Sequence, residues 1–267
     1  MSTIRSPDPL TDGVSLGSAI VSLIDPHPGH EREFNDWYER DHMYSCGVAG
    51  PHVFAVSRWV ATRELKALRC PSSGPIADPV EAGSFLGLFW IESDRHEEQA
   101  TWVSEVLPGL AEAGRMLPHR DHVCTATYEF RGAVLRDTVP PELACDHRYD
   151  GLVAWWLDRR PDATLAEVEA WLIDELEAVI DGSPLGQSLL FTPRPKPAAW
   201  PADLAEPEGV GDRLLVLGFL DCDPREWWGP WFDKLNSRVD GSGIATTALI
   251  APFIPTVPGT DRYLDQL

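Results

Sequence analysis

Residues 29–50, GHEREFNDWYERDHMYSCGVAG, decide how the rest of the chain is read. Phe34, Trp37, Tyr38 and Asp41 recur at spacings of three and four, the period of one helical face. Tyr38 and His42 lie four apart and are neighbours on that surface. Asp41 precedes His42 directly. Gly47 and Gly50 with Pro51 end the helix, which the pattern predicts from about residue 30 to 46. Upstream, residues 14–25 (VSLGSAIVSLID) read as a strand, apolar enough to be buried on both faces. Downstream, residues 52–62 (HVFAVSRWVAT) are a second strand.

Further along, a long connection at 63–82 holds a short helix at 64–68. Residues 83–93 are a strand. Asp94 is placed to cap a helix running to about 117, with Trp102, Val106 and Leu110 on one side. Residues 122–131 form a fourth strand, giving the order βαββαβ of a ferredoxin-like unit. After a linker at 132–148 the order returns: strand 149–158, helix 164–181, strand 185–192, connection 193–212, strand 213–223, helix 224–239 and strand 243–254. Landmarks keep near-constant offsets: 134 residues from Trp37 to Trp171, 133 from Asp25 to Asp158, and 129 both from Asp94 to Asp223 and from Trp102 to Trp231. Both halves carry their long insertion between the second and third strands. The expected fold is therefore α+β, with two ferredoxin-like repeats (14–131 and 149–254) packed sheet to sheet as a pseudo-dimeric α+β barrel. A flexible arm at 1–13 and a tail at 255–267 flank them.

The chain has 267 residues, 43% of them hydrophobic, with 11 Trp to fill large apolar surfaces. No run approaches a membrane span, and the polar, Pro-rich start does not read as a signal peptide. A formal net charge of −20 opposes binding to phosphate backbones and anionic lipids, which argues against nucleic-acid and membrane-surface roles. Five cysteines without paired spacing are expected to be reduced thiols in a cytoplasm.

The string FNDWYERDH, followed by AGPHVFAVSRWVATR, resembles the opening of EthD-like members of the dimeric α+β barrel superfamily. The matching positions are Trp37, Tyr38, Glu39, Asp41, His42, Gly50, Pro51, Arg58 and Trp59. The Gly50-Pro51 turn reverses the usual order. The second half loses the motif, with Leu172 and Leu176 at the positions of Tyr38 and His42. The resemblance implies a two-unit barrel fused in one chain, acting as a monomer or a homodimer, with ligands between helices and sheet. Relatives range from cofactor-free monooxygenases, cyclases and isomerases to haem enzymes, so the fold does not select a reaction.

His42 is the strongest chemical candidate, because imidazole exchanges protons near neutral pH. Asp41 would orient it if the two converge, and Tyr38 would donate a hydrogen bond to a substrate oxygen. The competing reading of His42 is a helix-end histidine satisfied by a carbonyl or packed under a loop. Phe34, Trp37, Trp59, Trp90 and Trp102 are candidates to line an apolar pocket; the competing reading for each is ordinary core. His27, His30 and the run His119-Arg120-Asp121-His122 raise a metal site, but no HExxH or paired CxxC occurs and no metal is expected. There is no P-loop, dinucleotide fingerprint or nucleophile elbow. The expected function is cofactor-independent acid–base chemistry on a small apolar or aromatic molecule. The alternatives are haem-dependent chemistry and a non-catalytic ligand-binding protein.

Overall fold

The computed structural model describes residues 13–136, 138–197, 200 and 205–267. The expected arm at 1–13 lies outside the described residues, apart from Gly13. In the first half the order is β1 (Leu16–Pro26), α1 (Glu31–Trp37), β2 (Val53–Val60), a short α2 (Arg63–Lys66), β3 (Phe85–Glu92), α3 (His96–Glu112) and β4 (Arg120–Leu135). The second half has β5 (Gly151–Arg159), α4 (Leu165–Ile180), β6 (Leu185–Pro193), β7 (Arg213–Leu220), α5 (Pro224–Trp227), α6 (Asp233–Ser242) and β8 (Ala245–Pro255). Each half is an antiparallel sheet in the ferredoxin-like order, β4-β1-β3-β2 and β8-β5-β7-β6. The centre strands β1 and β5 are buried over most of their length, as their continuous apolar runs require.

The two sheets face each other and also join at their edges, closing an eight-stranded barrel. One seam is long, β4 on β6 from Tyr128↔Pro193 to Leu135↔Gln187. The other is short, β2 on β8 through Trp59↔Pro255 and Val60↔Ile254. Gly132–Leu135, expected in the linker, instead continue β4 and supply half of the long seam. The short seam leaves most of the facing edges of β2 and β8 without a ladder partner, apart from a single bridge from Cys70 to Ile250.

Alternation along the strands decides which aromatic residues fill the barrel. Phe89 faces outward against Gly47 of the first helical region. Its neighbour Trp90 therefore points inward and meets Phe191 of the other half at 5.7 Å between ring centroids. Trp59 likewise meets Phe219 at 5.9 Å. Across the interior, Trp156 Nε1 donates to the Tyr128 hydroxyl at 3.1 Å. The barrel is filled by side chains, as an eight-stranded barrel of this size permits.

The helix starts differ between halves. Thr164 caps α4 in a full capping box with Glu167. Asp223 caps α5 by accepting from the Arg225 amide. Asp94, the expected cap of α3, does not cap: it takes φ +62, and Arg95 stands at the helix entry without a side-chain capping bond. Among the described residues, no helix is long and apolar enough to cross a membrane. None of the five cysteines is in a disulfide.

Candidate functional site

The first helix is regular only as far as Trp37. Beyond it the chain winds as two wider π-helical turns, Tyr38–His42 and Tyr44–Val48. In an α-helix, residues five apart sit about 140° from each other around the axis. The wider turn brings them nearly into line, and the rings of Trp37 and His42 stack with centroids 4.4 Å apart and planes 26° from parallel. Trp37 is itself fixed, its Nε1 donating to the Arg115 carbonyl at 2.7 Å. The Arg120 guanidinium, at the start of β4, lies over the same indole at 4.8 Å. Trp37 is thus a platform that positions an imidazole and a cation together. Helix interruptions of this type are common at functional sites.

His42 and Arg120 line a cavity of about 450 Å³. Its apolar wall is made by Ile20, Phe89, Val103, Leu107 and Met116, between the first sheet and its helices. Cys46 and His122 add polar surface near His42. Both long insertions also contribute, Pro75 and Ile76 from the first and Trp200, Glu206, Pro207 and Glu208 from the second, beside Ser22 of β1 and Cys124, Ala126 and Tyr128 of β4. Arg213 reaches the same cavity, with its charge held by Asp158 at 2.6 and 2.9 Å.

Burial pushes the His42 imidazole down to about 3, with the Arg120 guanidinium and the neighbouring His122 acting in the same direction. At neutral pH the ring is therefore uncharged. Its Nδ1 is buried without a hydrogen-bond partner, so Nε2 is the nitrogen that can meet a ligand. With the ring proton on Nε2, that atom is a hydrogen-bond donor. Burial also raises the Cys46 thiol above its ordinary range, which keeps it protonated.

Of the other expected catalytic residues, Tyr38 does neighbour His42, their rings meeting edge to face at 5.1 Å, but neither Tyr38 nor Asp41 lines the cavity. The Asp41 carboxylate is gripped by Arg115 at 2.5 and 3.0 Å, and that hydrogen bonding holds it below the usual carboxylate range. It does not orient His42. Tyr38 is fully enclosed, and its hydroxyl has no hydrogen-bond partner. It packs against Gly87 of β3, where any Cβ would overlap it. Burial raises this phenol to about 12, despite the opposing charge of Arg58. Tyr38 is a core residue and cannot reach the cavity.

The expected aromatic lining is also redistributed. Phe34 is completely buried and packs on Tyr38 and Phe85. Trp59 and Trp90 fill the barrel, and Trp102 packs against Gly50, where the helix ends. None of these four lines the cavity; Trp37 acts behind His42. Arg120, Met116 and Trp200 are lining residues that sequence reading did not assign to a pocket. Arg120 had one signal, its place in the run 119–122. Trp200 had another, its place in an insertion that recurs at the same point in both halves.

No family model matches the chain, and no curated protein matches it in sequence. Solved structures do match over nearly its whole length. A protein assigned as a chlorite dismutase superposes with a TM-score of 0.53 at 10% identity, covering 95% of this chain and 100% of its own. An anthrone oxidase-like protein gives 0.49 at 10% identity over 91% and 92%. A protein from Fusobacterium nucleatum assigned as a monooxygenase gives 0.49 at 8% over 92% and 94%. At such identities the first of these likenesses speaks for the shared fold and not for an activity.

Proposed function

We propose that the protein is a small-molecule enzyme of the EthD-like kind that works without a bound cofactor. Its substrate would be an apolar or aromatic molecule carrying a carbonyl or an acidic oxygen. The observation that carries this reading is the neutral His42 ring on a cavity wall, stacked on Trp37 beside Arg120. The apolar wall suits the body of such a molecule. The cationic end suits an oxygen that gains negative charge, in a chain whose overall charge of −20 otherwise repels anions.

The low proton affinity of His42 changes its expected role. A base with a value near 3 is a weak proton acceptor at neutral pH. A neutral imidazole is a good hydrogen-bond donor to a substrate oxygen, as is found where a nearby positive field keeps a catalytic histidine uncharged. His42 Nε2 would then stabilise an enolate-like or phenolate-like oxygen together with Arg120. Isomerisation or cyclisation next to a carbonyl, loss of water from a β-hydroxy carbonyl, and cofactor-free oxygenation of a phenol or enol pass through such an anion.

Haem suits these residues poorly. An axial histidine normally has its second ring nitrogen held by a carboxylate or carbonyl. His42 Nδ1 has no such partner, and the neighbouring Asp41 is committed to Arg115.

Native mass spectrometry of the purified protein should identify a retained apolar anion, whose turnover can then be followed. His42→Ala is expected to lower that turnover by roughly 10²–10³-fold, the effect of losing one oxyanion donor. His42→Gln keeps a donor and is expected to retain more activity than His42→Ala. Equal activity of folded His42→Ala and wild type would end the proposal. Gln as inactive as Ala would return His42 to the acid–base role.

A further inference from the structure

A second cluster lies where the first helix begins. His30 and Glu33 sit three residues apart at the entry to α1, with Nδ1 and Oε2 at 2.8 Å. His119, on the turn leading into β4, stacks on the His30 ring at 3.8 Å. One potential ligand atom from each of the three residues lies within 4.8 Å of the other two. We propose that His30, Glu33 and His119 bind one divalent transition-metal ion of the zinc type.

The donor set decides the class of ion. Two imidazoles and a carboxylate suit Zn²⁺, Co²⁺ or Ni²⁺ and do not suit Mg²⁺ or Ca²⁺, which take oxygen ligands. Three protein ligands leave a fourth position for water. Ligation requires the two rings to turn out of their stack. The surface position allows this, because the side chains of His30 and Glu33 are 37% and 54% exposed. The backbone frame is already closed: the His27 amide donates to the His119 carbonyl at 3.0 Å. His27 and Asp121, paired at 3.0 Å, flank the cluster and add negative charge on one side. The acidic chain as a whole concentrates cations at its surface.

Sequence reading expected no metal because no HExxH or paired CxxC occurs. This site joins two distant segments instead, the one that follows β1 and the one that leads into its neighbour β4. The bound ion would clamp the start of α1 to the start of β4, the two elements that carry Trp37 and Arg120. The proposal does not depend on the reaction assigned to the cavity.

Protein without a histidine tag, stripped by a chelator, is titrated with Zn²⁺ in competition with a chromophoric chelator. Co²⁺ is added in parallel and its visible absorption recorded. One ion per chain and an intense Co²⁺ band are expected. His119→Ala, Glu33→Gln and the conservative His30→Gln should each weaken binding by at least about 10-fold. Their melting temperatures without metal should match wild type, since the three side chains are not in the core. Absence of stoichiometric binding in wild type would overturn the proposal. So would variants that bind as tightly as wild type.

Discussion

Tyr38 shows how one side chain can satisfy a motif and still serve the core. Its hydroxyl is buried against Gly87 with no partner, a state that costs free energy relative to a ring without the oxygen. Tyr38→Phe is therefore expected to stabilise the protein by about 1 kcal/mol in denaturant unfolding. Gly87→Ala forces a methyl into that hydroxyl and should destabilise by about 2 kcal/mol. Combining the two should recover much of the loss, because the nearest remaining ring atom, Cζ, is 3.3 Å from the added Cβ. Additive effects in the double variant would show that the hydroxyl is not what excludes a side chain at Gly87. The same residue marks a limit of sequence reading. Spacing placed Tyr38 beside His42, and their rings do meet edge to face at 5.1 Å; it could not say that the Tyr38 hydroxyl goes to Gly87 while only His42 lines the cavity.

At the scale of elements, the π turns carry the site. The helix from residue 30 onward was legible because its apolar period and terminal glycines are strong local signals. Its extra winding was not, since a period of three and four does not reveal one added residue per turn. Deleting Arg40, whose side chain is 80% exposed, should restore an α-helical turn. Trp37 and His42 would then stand four apart, about 40° from each other around the axis, so their stack is kept. Ligand binding in the cavity should be retained, with circular dichroism and the melting transition close to wild type. Loss of binding with a folded chain would mean that the wider turn itself, and not the stack on Trp37, positions His42. The pocket walls were also hard to read for a physical reason. Apolar residues in insertions have no period, so nothing in the sequence says which surface Ile76 or Trp200 covers. Trp59 and Trp90 looked like lining because tryptophan suits both a pocket and a core; only the closed barrel decides between them.

For the whole molecule, the repeated order and its offsets were enough to read two ferredoxin-like units in one chain. The seam was not legible, since Gly132–Leu135 pair with a strand more than fifty residues away and resemble a linker locally. Because the two sheets join at both seams within the chain, a second copy is not needed to close the barrel. Sedimentation is expected to give a single species near the chain mass of 29.6 kDa. A stable dimer at low micromolar concentration would show that some other surface is an interface. The charge of His42 links this architecture to function, because the closed fold is what removes the ring from water. Burial lowers its proton affinity, so the unfolded chain takes up a proton that the folded one refuses. The contribution of His42 therefore opposes folding increasingly as pH falls from about 6.5 towards 3, by roughly 1.4 kcal/mol per pH unit. The most direct test is the ¹⁵N chemical shift of the His42 ring in labelled protein, assigned with His42→Gln and followed from pH 8 to pH 4. The shifts should stay those of a neutral imidazole protonated on Nε2 across the whole range. A titration centred near 6.5 would contradict the account, because His42 would then be a solvated acid–base group and not a neutral donor on the cavity wall.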